Sequence, residues 1–151
     1  MGTPSLGEHH YSLDSKHRMV VPTDHREELI AEKGNHFILA TGFDGCIWLL
    51  RPSQWQSLLD EVKDASRQSE DKRKSRAFRR SFYSRSVKVT PDEQGRILIP
   101  RNLVDHAKLK KDVVVAGAGN KVEIWDRKRW AAYSKEEADP SFEELSAELD
   151  L

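Results

Sequence analysis

Leu13-Asp14-Ser15-Lys16-His17-Arg18-Met19-Val20-Val21-Pro22 decides the fold, because it returns as Pro91-Asp92-Glu93-Gln94-Gly95-Arg96-Ile97-Leu98-Ile99-Pro100. Asp, Arg and Pro keep the same mutual spacing in both copies. The residues after each copy correspond as well: a helix-like segment, an apolar hairpin, then a basic or turn residue and a Trp. Leu50-Arg51-Pro52-Ser53-Gln54-Trp55 answers Trp125-Asp126-Arg127-Lys128-Arg129-Trp130, at an offset of 75 rather than the 78 of the Asp and Arg positions. The second copy is therefore three residues shorter in between. One Asp-x-x-x-Arg is common by chance; a repeat running over more than forty residues is not.

A chain of 151 residues makes one ordinary domain or two small ones that share a core, and the repeat favours the second form. With 37% hydrophobic and 33% charged residues, part of the chain is expected to be core-free helix or tail. No apolar run approaches the roughly 18 residues of a membrane span. Met1 to His10 lacks the basic start and apolar stretch of a signal peptide. Cys46 is alone and forms no intrachain disulfide, so a cytoplasmic protein is the simplest reading. The formal net charge of zero conceals an asymmetry. Residues 72–88 carry eight basic groups and no acidic one, whereas 135–151 carry seven acidic groups against one lysine. Such a distribution makes a directional field.

Taken in order, residues 8–13 read as a strand, Asp14 to His17 as a turn, and Arg18 to Val21 as a short strand closed by Pro22. Thr23 suits an N-cap, so Thr23 to Glu32 reads as a short helix with Leu29 and Ile30 turned inward and Gly34 ending it. His36 to Thr41 and Cys46 to Leu50 form a hairpin across Gly42-Phe43-Asp44-Gly45. Ser53-Gln54-Trp55-Gln56 has the spacing of a capping box, followed by Trp55, Leu58, Leu59 and Val62 at helical spacing. A second helix is expected from about Ser69 to Ser84, with Glu70 and Asp71 in its first turn. The second copy begins near Ser86: strand Val87 to Thr90, strand Ile97 to Ile99, helix Arg101 to Lys108, and the hairpin Asp112 to Ala116 with Lys121 to Trp125. From Lys135 the tail is one weak helix around Phe142 to Leu149 or has no fixed structure. Each repeat buries too little to stand alone, so the two should pack as a pseudo-symmetric pair in an α+β barrel-like core flanked by helices.

No catalytic constellation stands out. His9, His10, His17, His25, Asp14 and Asp24 lie close in sequence but fit no metal-ligand spacing, and no metal or cofactor is expected. Gly117-Ala118-Gly119 precedes a strand rather than a helix, so it reads as a hairpin turn. No Gly-x-Ser-x-Gly elbow or oriented Cys/His pair is present. In the repeated turn, the carboxylates of Asp14 and Asp92 suit accepting backbone N–H groups, with Arg pairing to them. A rigid loop offering Arg and Lys twice about an approximate two-fold also matches what reading successive DNA grooves requires. The run Lys72 to Arg85 has two readings, a solvated face pairing with Asp60, Glu61 or Asp64, or a DNA-binding face. Phe78, Phe82, Trp55 and Trp130 read as core or subunit-interface residues.

The paired motifs, with the basic stretch ending Arg79-Arg80-Ser81-Phe82-Tyr83, resemble the MraZ family of bacterial transcriptional regulators over about residues 7–133. The resemblance implies two SpoVT-AbrB type swapped-hairpin units, at 7–55 and 85–133, with intervening helices at 56–84 and an acidic tail at 134–151. It further implies a closed ring of identical chains on short repeats in the promoter of the division and cell-wall gene cluster, usually as a repressor, and association with the nucleoid. Carried over by position, Asp14, Arg18, Asp92 and Arg96 match the two Asp-x-x-x-Arg motifs. Similarity to the wider AbrB-type units adds Lys16, Gln94 and Arg26 as candidates for DNA contact. The family's Gly before Arg is present as Gly95 but is His17 in the first copy, which is strained if that position needs positive φ.

The expectation is therefore a non-enzymatic regulator of double-stranded DNA that gains affinity through several subunits. The more basic first loop would dominate affinity, and the second would be the better formed. The alternative is an AbrB-type protein-interaction or antitoxin-like module whose basic helix or acidic tail grips a partner.

Overall fold

In the computed structural model, which describes residues 3–150, the first half runs β1 (Glu8–Ser12), β2 (Arg18–Val20), α1 (Thr23–Ala31), β3 (Phe37–Thr41), a 3₁₀ turn (Phe43–Gly45) and β4 (Ile47–Leu50). Two helices come next, α2 (Pro52–Gln68) and α3 (Lys72–Arg85). The second half repeats the order as β5 (Val87–Val89), β6 (Arg96–Leu98), α4 (Arg101–Ala107), β7 (Asp112–Gly117) and β8 (Val122–Asp126). It ends in α5 (Arg127–Tyr133), a π-helical stretch (Ser134–Ala138) and α6 (Asp139–Leu149).

The two halves are built into each other. One antiparallel sheet has the order β1-β7-β8-β4-β3-β5, so the leading strand of each half lies against the hairpin of the other. Its centre is β4 against β8, which joins the halves strand to strand. Separately, β2 pairs with β6 in a two-stranded ribbon, with Met19 opposite Ile97. The fold is α+β as expected, but the sheet does not close: β1 and β5 are its edges, and the ribbon stands apart from it. An open six-stranded layer replaces the barrel-like core because short β2 and β6 spend their backbone groups on each other.

The apolar runs of β3 and β4 show no alternation because both faces of the sheet are covered. On one face Phe37, Leu39, Ile47, Leu49, Val113 and Ile124 pack with Met19 and Ile97 of the ribbon and Leu29 and Leu103 of the short helices. On the other, Ile38, Ala40, Trp48, Leu50 and Trp125 pack with Leu58 and Val62 of α2 and Phe82 of α3. The result is three layers, with ribbon and short helices on one side and long helices on the other.

Several local expectations change. Ile30 is 70% exposed, because α1 turns His25 and Leu29, one turn apart, to the core, and its next position faces outward. Pro22 precedes α1 without a side-chain cap, and the Thr23 hydroxyl instead accepts from an Arg26 guanidinium nitrogen at 3.1 Å. At α2 the cap shifts to Arg51, whose backbone N–H donates to Gln54 Oε1 at 3.0 Å, while the Ser53 hydroxyl donates to Glu32 Oε2 at 2.6 Å. Helix α3 starts later than expected, with Asp71 as its cap accepting from Lys74 N–H at 3.0 Å. The C-terminal segment is helical to Leu149, with Phe142, Leu145 and Leu149 exposed. His25 is fully buried and neither ring nitrogen has a hydrogen-bond partner, a state that costs on the order of 1–3 kcal/mol.

Met19 and Ile97 meet at the centre of the ribbon and are fully buried beneath it. Met19→Ala or Ile97→Ala should lower stability by about 2–5 kcal/mol. Thermal or denaturant unfolding of the two variants should give similar losses, since each residue fills the equivalent place in its half.

Candidate nucleic-acid interface

The repeated turns are the same structure twice. Asp14 Oδ1 accepts the backbone N–H groups of Lys16 and Arg18, both at 2.9 Å, and its Oδ2 accepts from Arg18 Nε at 2.7 Å. In the second copy Asp92 Oδ1 accepts from the N–H groups of Gln94 and Arg96 at 2.9 Å, and Oδ2 from Arg96 Nε at 2.8 Å. The main chain closes each turn as well: His17 N–H donates to Asp14 O at 3.0 Å, and Gly95 N–H to Asp92 O at 2.9 Å. The Asp-x-x-x-Arg spacing is thus what one carboxylate needs to hold the turn and align the guanidinium. These bonds to the ionised form depress both carboxyls; the Arg18 N–H is the largest cause for Asp14, held down at about 2, and the Arg96 N–H for Asp92.

The loops are then locked to each other. Val21 N–H donates to Gly95 O at 2.9 Å, and Ile99 N–H donates to His17 O at 3.0 Å. Each loop carbonyl is thereby fixed by the strand end of the other copy. On the ribbon, Arg18 faces Leu98 and Arg96 faces Val20, so the period-two alternation puts all four on the side away from buried Met19 and Ile97. Arg18 and Arg96 are diagonal neighbours on that face, about 7–8 Å apart at their Cα atoms. Lys16 and Gln94 are exposed at the loop tips. Among the described residues the terminal guanidinium nitrogens of Arg18 and Arg96 make no hydrogen bond.

The copies differ at one position. Gly95 has φ 77° and His17 has φ 60°, so both occupy the left-handed region and His17 is strained there. Gly95 holds its left-handed φ without a side-chain penalty, and a Cβ there would also lie 2.7 Å from an Arg26 guanidinium nitrogen, which would have to shift. The same Arg26 donates from Nε to Val21 O at 3.0 Å, so it braces the loop as well as lying beside it. Its repeat equivalent is Val104, a short side chain that makes no comparable demand on His17.

Sequence reasoning missed Lys110 and Lys111, both exposed, which line one cleft with Asp14, Ser15 and His17. Leu13 N–H donates to Lys111 O at 2.7 Å, which ties the second-half segment to the first loop. It also missed Leu98, 56% exposed between the two arginines. Conversely, the basic helix α3 lies across the sheet from the loops, since Phe82 belongs to the opposite core. Among the described residues no ion pair joins α3 to Asp60, Glu61 or Asp64 of α2. Lys72 instead donates to the carbonyls of Ser66 and Arg67 at 3.3 and 3.2 Å, where cations suit a helix C-terminus. Cys46 is buried, and burial pushes its thiol well above the usual range, so it is not poised as a nucleophile.

Fold and loops together define a class: a tandem-repeat α+β protein in which two copies of one loop, strand, helix and hairpin unit are interleaved. The family described as "MraZ protein, putative antitoxin-like" matches residues 5–78 and 82–151. The chain belongs to the MraZ family. It is 39% identical over 145 residues to the transcriptional regulator MraZ of Caldanaerobacter subterraneus subsp. tengcongensis, covering 96% of each chain. It is 40% identical over 144 residues to that of Heliobacterium modesticaldum, covering 95% of each, and 34% identical over 134 residues to that of Clostridium acetobutylicum, covering 89% of each.

Three outcomes are expected of the loops. His17→Gly should gain roughly 0.5–1 kcal/mol, the relieved left-handed strain less the added freedom of the unfolded chain. Gly95→Ala should lose about 2 kcal/mol, a loss partly recovered with Arg26→Ala, as thermal melts of the single and double variants will report. Because both carboxyls are depressed on folding, their contribution is fully present above the unfolded value of about 3.9 and is lost as pH falls through the folded value. Carboxyl carbon resonances should show Asp14 ionised at pH 4 and titrating near 2, with Asp92 also below the ordinary range.

Proposed function

We propose that this chain is a transcriptional regulator that binds double-stranded DNA through the paired loops, without catalytic chemistry. The observation that carries the reading is the reciprocal lock of the loops, Val21 to Gly95 and Ile99 to His17, which holds the half-buried Arg18 and Arg96 on the same face of the ribbon with their terminal nitrogens free among the described residues. Guanidinium edges held that way suit bidentate contact with guanine, while Lys16, Gln94, Lys110 and Lys111 suit phosphate or base-edge contact. Arg26 acts in this reading chiefly by bracing the second loop, with contact to DNA as a lesser role. Asp14, Asp92 and Gly95 form the turns. The relatives' name, transcriptional regulator MraZ, supports the same class.

The fuller reading places the protein in the cytoplasm at the nucleoid, acting on short promoter repeats of the division and cell-wall gene cluster as a ring-shaped homo-oligomer. Each half is then a swapped-hairpin unit of SpoVT-AbrB type, a reading supported by the pairing of β1 with β7 and of β5 with β3. Assembly is supported by the exposed stripe Phe142, Leu145 and Leu149 on acidic α6 and by the opposite charge of α3. A neutral protomer with few loop cations needs several subunits on several sites for useful affinity.

The test is a gel shift on DNA upstream of the chain's own gene, with solution mass measured in parallel. Arg18→Ala and Arg96→Ala should each weaken binding about tenfold or more while the mass is unchanged. Lys110→Ala with Lys111→Ala should lower the slope of binding against salt, by about 0.9 log units for each phosphate no longer engaged. Unchanged shifts in the arginine variants would remove the DNA-reading role from the loops.

A further inference from the structure

Among the described residues, His25 alone is buried with side-chain nitrogens that lack any hydrogen-bond partner. It is 1% exposed, at the start of α1, and its ring meets that of His9 on β1 edge to face with centroids 5.8 Å apart. Asp24 completes the group. One donor atom from each of His9, Asp24 and His25 lies within 4.8 Å of the others, and His9 Nε2 is 3.3 Å from Asp24 Oδ2. Two imidazoles and a carboxylate converge here although their sequence spacing follows no familiar pattern.

We propose that His9, Asp24 and His25 form a binding site for a divalent transition-metal ion of the zinc class. Two nitrogens and one oxygen suit zinc, whereas calcium and magnesium favour an all-oxygen shell. Metal bonds of about 2.0–2.1 Å in a tetrahedron place donors roughly 3.4 Å apart. The His9–Asp24 edge is already at 3.3 Å. The longer edges close by movement of His9 and Asp24, whose side chains are 34% and 48% exposed, around a fixed His25.

The surroundings support this use of His25. Glu28 Oε2 lies 3.6 Å from His25 Nδ1 and is itself held by buried Arg51. A proton on Nδ1 facing that carboxylate leaves Nε2 as the metal ligand, the usual carboxylate–histidine–metal order. A water molecule would complete the tetrahedron as the fourth ligand. The second half has no such group: the repeat equivalents of His9, Asp24 and His25 are Val87, Asn102 and Leu103. The site thus belongs to the first half only, where it would pin edge strand β1 to the helix that carries Arg26. It does not depend on the DNA reading.

The full-length chain, stripped with a chelator, should be titrated with zinc by calorimetry and with cobalt(II) as a spectroscopic probe. One metal per chain, a tetrahedral-type cobalt spectrum and a zinc-dependent rise in melting temperature are expected. His9→Gln and Asp24→Asn alter partly exposed side chains, so both should fold and lose metal affinity at least tenfold. His10→Gln, on the other face of β1 and bonded to Glu8 at 2.8 Å, should bind as the parent does. Binding should weaken as pH falls, because the ligating imidazoles must be neutral. Absence of saturable binding, or equal binding in His9→Gln and Asp24→Asn, would overturn the proposal.

Discussion

The paired loops depend on two backbone hydrogen bonds that cross between the repeats, Val21 to Gly95 and Ile99 to His17. They end the three-residue strands β2 and β6, and without a partner neither strand could satisfy its backbone groups. They also fix the carbonyls of the residues just before Arg18 and Arg96. The same two bonds therefore tie the loops of the two halves together and hold the backbone from which both arginines leave. Beneath them Met19 and Ile97 seal the ribbon onto the sheet, so that loop geometry and core packing are coupled.

Such interlocking explains why the halves cannot be separate domains. The leading strand of each lies on the hairpin of the other, and the central pair β4–β8 contains one strand from each. Yet the symmetry is incomplete, and some of its departures lie near the loops. Arg26 lies against Gly95, where a side chain would crowd it; Val104 takes its place in the other half, and His17 is tolerated there at the cost of strain. Lys110 and Lys111 come from the second half but lie beside the first loop. The first loop is thus more basic than its own residues suggest, and the second is less strained.

The layers distribute charge by the same logic. Loops, ribbon and short helices occupy one side of the sheet, and the basic helix α3 occupies the other. The basic run is continuous in sequence with the second copy, yet the sheet stands between its helix and the loops. A neutral total therefore hides two separate basic regions and an acidic helical tail.

The sequence by itself determined what depends on a few consecutive residues. A carboxylate that bonds the N–H groups two and four positions on, and the guanidinium at the fourth, leaves its spacing in the chain, so both turns were legible. The hairpins were legible too, because Gly45 and the glycines of 117–119 mark reversals between apolar runs. Only the tertiary structure decided which strands pair, because an apolar run covered on both faces carries no mark of its neighbour. That choice opened the sheet where a barrel-like core was expected, turned Ile30 outward beside Leu29, and brought His9 to Asp24 and His25 from fifteen residues away. Side chains that meet through long-range pairing leave no spacing to read, since their separation is set by register and layer rather than by the local geometry of the chain.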